Sequence, residues 1–342
     1  MAANKNLQQA KKAKNDEFYT RLEDIENEIS MHSDYKKHFE NKIVLCNCDD
    51  PEFSNFWIFF REQFHNFKLK KLITTHYEPG GKSYKLEWSG ETLPDGTTVN
   101  VIKTPLQGDG DFRSEECIEL LKEADIVVTN EPFSLTREYL AQLMEYNKKF
   151  VIIVNKNCIT YKEVFPLIKD NKAWFGYTSP KDFIIPEGSN FKNVNGLCRW
   201  MTNLEIDKRT EELPLNCNYK GNEDRYPRYD NYDGINVDKV KDIPKDFDGI
   251  IGVPITFLDS YCPEQFEILK LGIGEANFTP TKKYEKFRNP KTHEFVNDKR
   301  DFLLYIKDEN GKYLTSEGYR VTKCYARILI RRKNENNNTV CN

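Results

Sequence analysis

No stretch of this 342-residue chain approaches the roughly 18–20 consecutive apolar residues of a membrane span, and its opening MAANKNLQQAKKAKNDEFYT lacks the apolar middle of a signal peptide. A cytoplasmic protein without membrane contact is expected. Its nine cysteines, at positions 46, 48, 117, 158, 198, 217, 262, 324 and 341, contain no C-x-x-C pair. An odd, scattered set suits reduced thiols better than a disulfide framework or a zinc site, so no structural metal is expected. An excess of one charge is missing too: 51 Lys+Arg stand against 54 Asp+Glu, a formal −3. That excludes a polycation built for indiscriminate nucleic-acid binding, and any such contact must come from local patches. No internal repeat occurs, and the one biased segment, NENNN near the end, reads as a disordered tail.

What the chain does have is 31% charged residues together with 13% aromatics, too many rings for a disordered chain and too much polarity for a membrane protein. Its length allows one large domain or two ordinary ones. Residues 1–15 carry Lys5, Lys11, Lys12 and Lys14 unopposed and read as a basic flexible arm. Beyond them helix and strand alternate. Helices are expected over 17–39, 52–66, 114–122, 135–146 and 161–169, and strands over 42–47, 70–77, 97–104, 125–130, 149–155 and 173–177. Such alternation predicts an α/β fold with a mostly parallel sheet. A further strand is expected over 196–206. Then Tyr, Asn, Asp, Gly and Pro dominate (NYKGNEDRYPRYDNYDG), which places a boundary near 207, with short strands at 249–258, 302–307 and 324–333 beyond it.

The segment GDGDFRSEECIELLKEADIVVTNEPFS, residues 108–134, is the most informative. A strand ending in a polar residue and followed by Pro-aromatic and a helix puts Asn130 to Phe133 at the carboxyl edge of the sheet, where such folds bind ligands. An Asn carboxamide oxygen and a following backbone carbonyl can both accept from an exocyclic amine while the ring stacks on a planar base. Amine methylation needs that arrangement. The alternative is a turn that starts a helix, with Asn130 capping, Pro132 in the first turn and Phe133 packed. Asn47, Asp49 and Asp50 follow the first strand, where they either bind a cationic cofactor or form a solvated turn. Asp111 and Phe112 offer an acid and a ring to a purine, or a simple turn. Tyr226, Tyr229 and Tyr232 either stack on bases or pack a loop, packing being the more frequent use, and are not counted as site residues.

These stretches carry a resemblance. DEFYT (16–20), VLCNCDDP (44–51), residues 108–134, REYLAQLMEY (137–146), ITYKEVFPLIK (159–169), RWMTNL (199–204), GVPITFLDSY (252–261) and YARILIRRK (325–333) together closely resemble the EcoRI-type family of adenine-specific DNA methyltransferases. The resemblance implies a class I methyltransferase (Rossmann-like) fold with helices on both faces of the sheet. It implies a catalytic, S-adenosylmethionine-binding domain over 16–207 and a DNA target-recognition region over 208–342, some of whose strands return to the core. The implied reaction is methyl transfer from S-adenosyl-L-methionine to the N6 amine of an adenine flipped out of double-stranded DNA. Tyr19 and Thr20 would then enclose the methionine part of the cofactor, Asn47, Asp49 and Asp50 would form the first cofactor loop, and Asp111 with Phe112 would hold the adenine moiety. A monomer would suffice, with a restriction endonuclease as a functional rather than physical partner.

The family motif Asn-Pro-Pro-Phe is matched by Asn130, Pro132 and Phe133 but not at its second position, where Glu131 stands. The carbonyl is kept and the stiffening ring is lost. If its carboxylate points inward and stays ionised it repels phosphate; pointed toward a sulfonium it assists the cofactor. The expectation is a retained fold and cofactor site with weakened or altered catalysis. The rival readings are an inactive DNA-binding protein of the same fold and a methyltransferase acting on protein glutamine. From 281 to 333 there are 15 Lys+Arg and 7 Asp+Glu, which supplies phosphate contacts and favours DNA. A nuclease reading of DDPE at 49–52 is weak because a bare acidic turn specifies no metal geometry.

Overall fold

A computed structural model describes residues 19–31, 35–80, 82–90, 100–184, 191–274, 278–296 and 302–333. The basic arm, the closing tail and the first residues of the strand expected at 97–104 lie outside them. Two compact units divide the chain, one comprising residues up to 164 plus 172–206, the other 165–171 plus 207 onward.

The first unit begins with β1 (Tyr19–Thr20), α1 (Leu22–Met31) and α2 (Tyr35–Phe39), so the single helix expected over 17–39 is a short strand and two helices. Next come β2 (Ile43–Cys46), α3 (Asn55–Glu62), α4 (Phe64–Phe67), β3 (Lys71–His76), β4 (Tyr84–Trp88) and β5 (Ile102–Pro105). Then α5 (Glu115–Glu123), β6 (Ile126–Asn130), α6 (Thr136–Glu145) and β7 (Lys149–Asn155) follow in alternation. The helix expected over 161–169 shrinks to α7 (Phe165–Lys169), which clusters with the second unit. The first unit ends with β8 (Trp174–Phe175), β9 (Asp182–Ile184), β10 (Phe191–Asn193) and β11 (Cys198–Thr202).

Eight of these strands form one sheet in the order β5-β4-β3-β2-β6-β7-β11-β8. The expectation of a mostly parallel sheet is corrected to a mixed one. Only β3-β2-β6-β7 run parallel, and every pairing outside that block is antiparallel. Parallel neighbours need a long crossover, and the helical connections α3–α4, α5 and α6 lie among those four strands; β3, β4 and β5 fold back on each other, with no helix among the described residues between them. The parallel block is the buried one. All five residues of β6 are buried, as a strand flanked on both edges and covered on both faces requires.

Part of the aromatic surplus goes here. Phe39, Phe56, Trp57, Phe59, Phe60, Phe64, Phe67, Trp88, Phe183 and Trp200 belong to one buried cluster with Val44, Leu72, Val128 and Ile153 of the sheet. Phe39 stacks on Phe67 at 5.4 Å, and Phe59 meets Phe60 edge-on at 5.1 Å. The alternate strand residues Leu45, Ile73, Val127 and Ile152 are equally buried, and α5 contacts β2 while α6 contacts β7. Serine starts two of the helices: Ser54 accepts from the Trp57 N–H ahead of α3, and Ser114 from the Cys117 N–H ahead of α5, whose first turn adds Glu115 and Glu116.

In the second unit β12 (Ile235–Asn236), β13 (Ile251–Pro254) and β14 (Phe266–Leu271) join β18 (Arg327–Arg332) in the order β12-β13-β18-β14. A smaller sheet, β15-β17-β16, is built from β15 (Tyr305–Lys307), β16 (Tyr313–Leu314) and β17 (Arg320–Lys323). Tyr284, Phe287, Tyr305 and Tyr313 pack with Val321 beneath it. Tyr226 and Tyr229 are buried, and Tyr232 packs on Phe278 at 5.2 Å. Among the described residues no helix is long and apolar enough to cross a membrane, and no group of three His, Cys, Asp or Glu side chains is placed to hold a metal.

Candidate active site

Parallel pairing sets the carboxyl ends of β2, β3 and β6 side by side: Cys46 lies opposite Thr74, and Leu45 opposite Val127. The loops leaving those ends carry most of the residues singled out in the sequence. The Thr129 hydroxyl donates to the Asn47 carbonyl, so the last turn of β6 is tied to the first residue after β2. Cys48 follows with φ at +72°, a left-handed backbone that non-glycine residues seldom adopt and that is over-represented at functional sites.

Asn47 is buried, and its side-chain oxygen accepts from the Tyr139 hydroxyl at 2.5 Å. Asp49 is buried too and accepts from the Ser54 hydroxyl at 3.2 Å, which is also the cap of α3. Asp50 forms the turn its residue type favours, taking the Glu52 N–H at 2.9 Å, with its second oxygen 3.6 Å from His76 at the end of β3. β1 closes over this loop: Asn55 donates to the Thr20 carbonyl at 2.6 Å, and the Tyr19 ring lies 6.0 Å from that of Phe53. The Thr20 hydroxyl is fully buried with no hydrogen-bond partner among the described residues.

Gly110 lets the third loop approach the end of β3. Its φ is +79°, and a Cβ there would lie 2.2 Å from the His76 carbonyl oxygen. Asp111 is engaged by Arg113 through two bonds of 2.9 and 2.7 Å, which hold its carboxyl below the usual range; Arg113 also reaches Glu138 at 2.8 Å. Phe112 is 6% exposed and meets Tyr139 edge-on at 4.9 Å.

Asn130 ends β6 at 8% exposure. It is not the cap of the following helix: α6 begins at Thr136, with Leu135 in the capping position. The reading of Asn130 as a helix-starting residue therefore fails, and its side chain stays at the strand end. Pro132 turns the chain, its carbonyl accepting from the Leu135 N–H at 2.7 Å. Phe133 is half-buried, 6.0 Å from Phe183 and packed on the main core.

The Glu131 side chain turns into the protein: it is 2% exposed, with one oxygen taking the Thr136 hydroxyl at 2.5 Å and the other buried with no partner among the described residues. Burial pushes its pKa well above the ordinary value of 4.5, which favours the uncharged acid. Burial likewise raises the neighbouring Cys48 thiol and the Tyr139 phenol, leaving both neutral.

Tyr139, Thr136, Ser54 and Arg113 were not singled out in the sequence. Tyr139 lies on the apolar stripe of α6 with Leu140 and Leu143, where a polar tip among buried residues signals a hydrogen-bond partner. The others are ordinary helix-start and surface types whose targets depend on the fold.

A family described as "Adenine-specific methyltransferase EcoRI" matches residues 6–333. Type II methyltransferase M.EcoRI of Escherichia coli is 47% identical over 316 residues, covering 84% of this chain and 96% of the relative. Type II methyltransferases M.MgeORF184P of Mycoplasma genitalium and M.MpnI of Mycoplasma pneumoniae are 42% and 41% identical, each covering 76% of this chain and respectively 84% and 83% of the relative. No solved structure matches the chain.

Two outcomes are expected. Because burial raises the folded pKa of Glu131, its cost to stability grows as pH rises above the ordinary glutamate range near 4.5 toward the raised folded value. Glu131→Gln should therefore raise the melting temperature about 2–4 °C more at about pH 8 than at about pH 5; equal shifts in thermal melts at the two pH values would contradict the neutral assignment. Tyr139→Phe, which removes only the hydroxyl, should cost about 1–3 kcal/mol in denaturant unfolding by leaving the Asn47 oxygen buried without that donor.

Proposed function

Because the chain belongs to the EcoRI family of adenine-specific methyltransferases, we propose that it methylates the N6 amine of adenine at a specific sequence in duplex DNA, with S-adenosyl-L-methionine as the methyl donor. The observation that carries this reading is Asn130, held at the carboxyl end of the central parallel strand and not used as a helix cap. On this reading the first unit is a class I catalytic domain and the second recognises the target. The enzyme works in the cytoplasm as a monomer, modifying DNA that a partner restriction endonuclease would otherwise cut.

The residues around the strand ends fit the cofactor. Asp49 and Asp50 supply negative charge for a cationic ligand, and the buried Thr20 hydroxyl has hydrogen-bonding capacity not met among the described residues. Tyr19 and Thr20 would cover the methionine part, Asn47 would shape the loop, and the Asp111–Phe112 segment would meet the adenine part. Arg113 holds Asp111 in place, and Phe112 offers its edge region, since Tyr139 backs the ring. When bound, S-adenosylmethionine supplies an electrophilic methyl on a positively charged sulfur.

An amine conjugated to a purine is a weak nucleophile. The Asn130 side-chain oxygen and the Glu131 carbonyl would accept its two hydrogens and localise the lone pair, with no strong base required. The N6 atom must first leave the base stack at a cost of a few kcal/mol, and Phe133 would give the extruded ring a new surface. Glu131 keeps the carbonyl that proline would supply. Its buried acid, bonded to Thr136, anchors the loop to α6 and substitutes for the rigidity of the ring. That contact favours an active enzyme over an inactive DNA-binding relative.

Asn130→Ala should reduce transfer of labelled methyl groups to duplex DNA by about 100-fold or more, with cofactor affinity in calorimetry nearly unchanged; substantial residual transfer would refute its role. Glu131→Gln should retain transfer within about threefold while Glu131→Ala loses about tenfold. Full activity of the alanine variant would remove the anchoring argument, and methylation of a protein glutamine in place of DNA would overturn the substrate.

A further inference from the structure

Two large hydrophobic side chains of the second unit stand exposed among its described residues, and both are aromatic: Phe295 at 58% and Tyr325 at 87%. Phe295 differs from an incidental surface residue in being held out by a built turn. Arg288 and Phe295 pair across it as an antiparallel bridge, with Asn289 N–H bonded to the Glu294 carbonyl at 2.9 Å and His293 N–H to the Asn289 carbonyl at 2.8 Å. The Asn289 side chain takes the Lys291 N–H at 2.8 Å, and the Arg288 guanidinium reaches the His293 carbonyl at 2.8 Å. The turn is fastened to β16 by reciprocal bonds of 2.9 Å between Arg288 and Leu314.

Strand alternation explains the direction of the ring. Phe287 and Val296 face the aromatic cluster under the small sheet, which leaves their neighbours Arg288 and Phe295 on the solvent side. There the Arg288 guanidinium lies 4.1 Å and the Lys286 ammonium 5.3 Å from the ring centroid. With Glu285 and Ser316 these three line a shallow concavity of about 410 Å³. The surrounding segment is the one in which 15 Lys+Arg face 7 Asp+Glu.

We propose that this turn is a DNA-contacting element: Lys286 and Arg288 ligate backbone phosphates, and the Phe295 ring packs on a sugar or base face between them. The proposal rests on the DNA reading above and adds the element that makes the contact. An isolated ring between two cations is a poor protein interface, which needs a contiguous apolar patch. It suits a polyanion with stacked planar groups, where cations take phosphate and the ring takes a base face.

The test uses the full-length protein, a labelled duplex that the wild type methylates and a duplex of scrambled sequence, with anisotropy read across a salt titration. Phe295→Ala should weaken binding to the methylated duplex about tenfold with an unchanged salt slope, and Phe295→Trp should restore it. Lys286→Ala should instead lower the salt slope by about one on both duplexes. In turnover, Phe295→Ala should raise KM for DNA and leave kcat in place, since the ring is given no part in the chemistry. Melting temperatures of both variants, whose altered side chains lie outside the core, should match the wild type. If the wild type binds and methylates DNA while Phe295→Ala matches it in affinity and KM, the turn is not the contact and the DNA reading survives. If the wild type neither binds nor methylates any duplex, both fall.

Discussion

The hydrogen bond from the Tyr139 hydroxyl to the side chain of Asn47, 2.5 Å long and fully buried, is the constraint on which the geometry of the candidate site hangs. It joins α6, which follows the Asn130 loop, to the loop that leaves β2. The same tyrosine ring backs Phe112, so three loops from three strands lean on one side chain. The Thr129 hydroxyl adds a second tie to the Asn47 carbonyl. In a medium of low polarity each such bond is costly to leave unmade, and a network in which the members satisfy one another fixes a single arrangement. The parallel sheet brings the strand ends level; the Tyr139 and Thr129 bonds hold the loops there.

Glu131 illustrates how the same interior decides the state of a charge. An ionised carboxylate at that depth would forfeit its hydration for one hydroxyl, whereas a protonated one still accepts from Thr136 and gives up less hydration. Uptake of a proton is the cheaper outcome. On the proposed function this resolves an apparent conflict in the motif: a residue that looks like an acid beside a polyanion's binding site behaves as a neutral, anchored side chain, and its carbonyl stays available to the substrate amine.

The sequence made the parallel block legible because β2, β3, β6 and β7 are covered on both faces and so read as continuous apolar runs. Strand β4 was not legible. Its YKLEW alternates charge with apolar residues, and Lys85 and Glu87 are stabilised only by pairing with each other at 2.7 Å and with Lys71 at 2.5 Å across the sheet. The mixed character of the sheet follows from such flanking strands. The helix expected over 52–66 is broken at Gln63 between α3 and α4, which no local signal marks. Site positions were legible where strand ends determine them, as for Asn47 and Asn130. Side-chain direction was not: nothing in the letters around Glu131 says that it turns inward, or that Arg113 occupies Asp111, since both depend on what the fold places opposite.

The same limit governs the charge. A net −3 gives no account of location, and a local surplus of cations gives no account of availability. In the second unit Lys282 lies 2.7 Å from Glu317 and 3.7 Å from Asp230, Lys307 is 3.6 Å from Asp230, and Arg327 binds Asp238 at 2.7 Å. Cations answered within the protein release no counterions on meeting DNA unless those pairs first open. Lys286 and Arg288 face a ring, and Arg288 also donates to the His293 carbonyl; these are neutral partners that phosphate can replace. For an enzyme that must leave most of a chromosome unmodified this is the favourable arrangement. Pairing cations such as Lys282, Lys307 and Arg327 internally lowers non-specific attraction, so that base contacts weigh more than total charge in deciding where it stays.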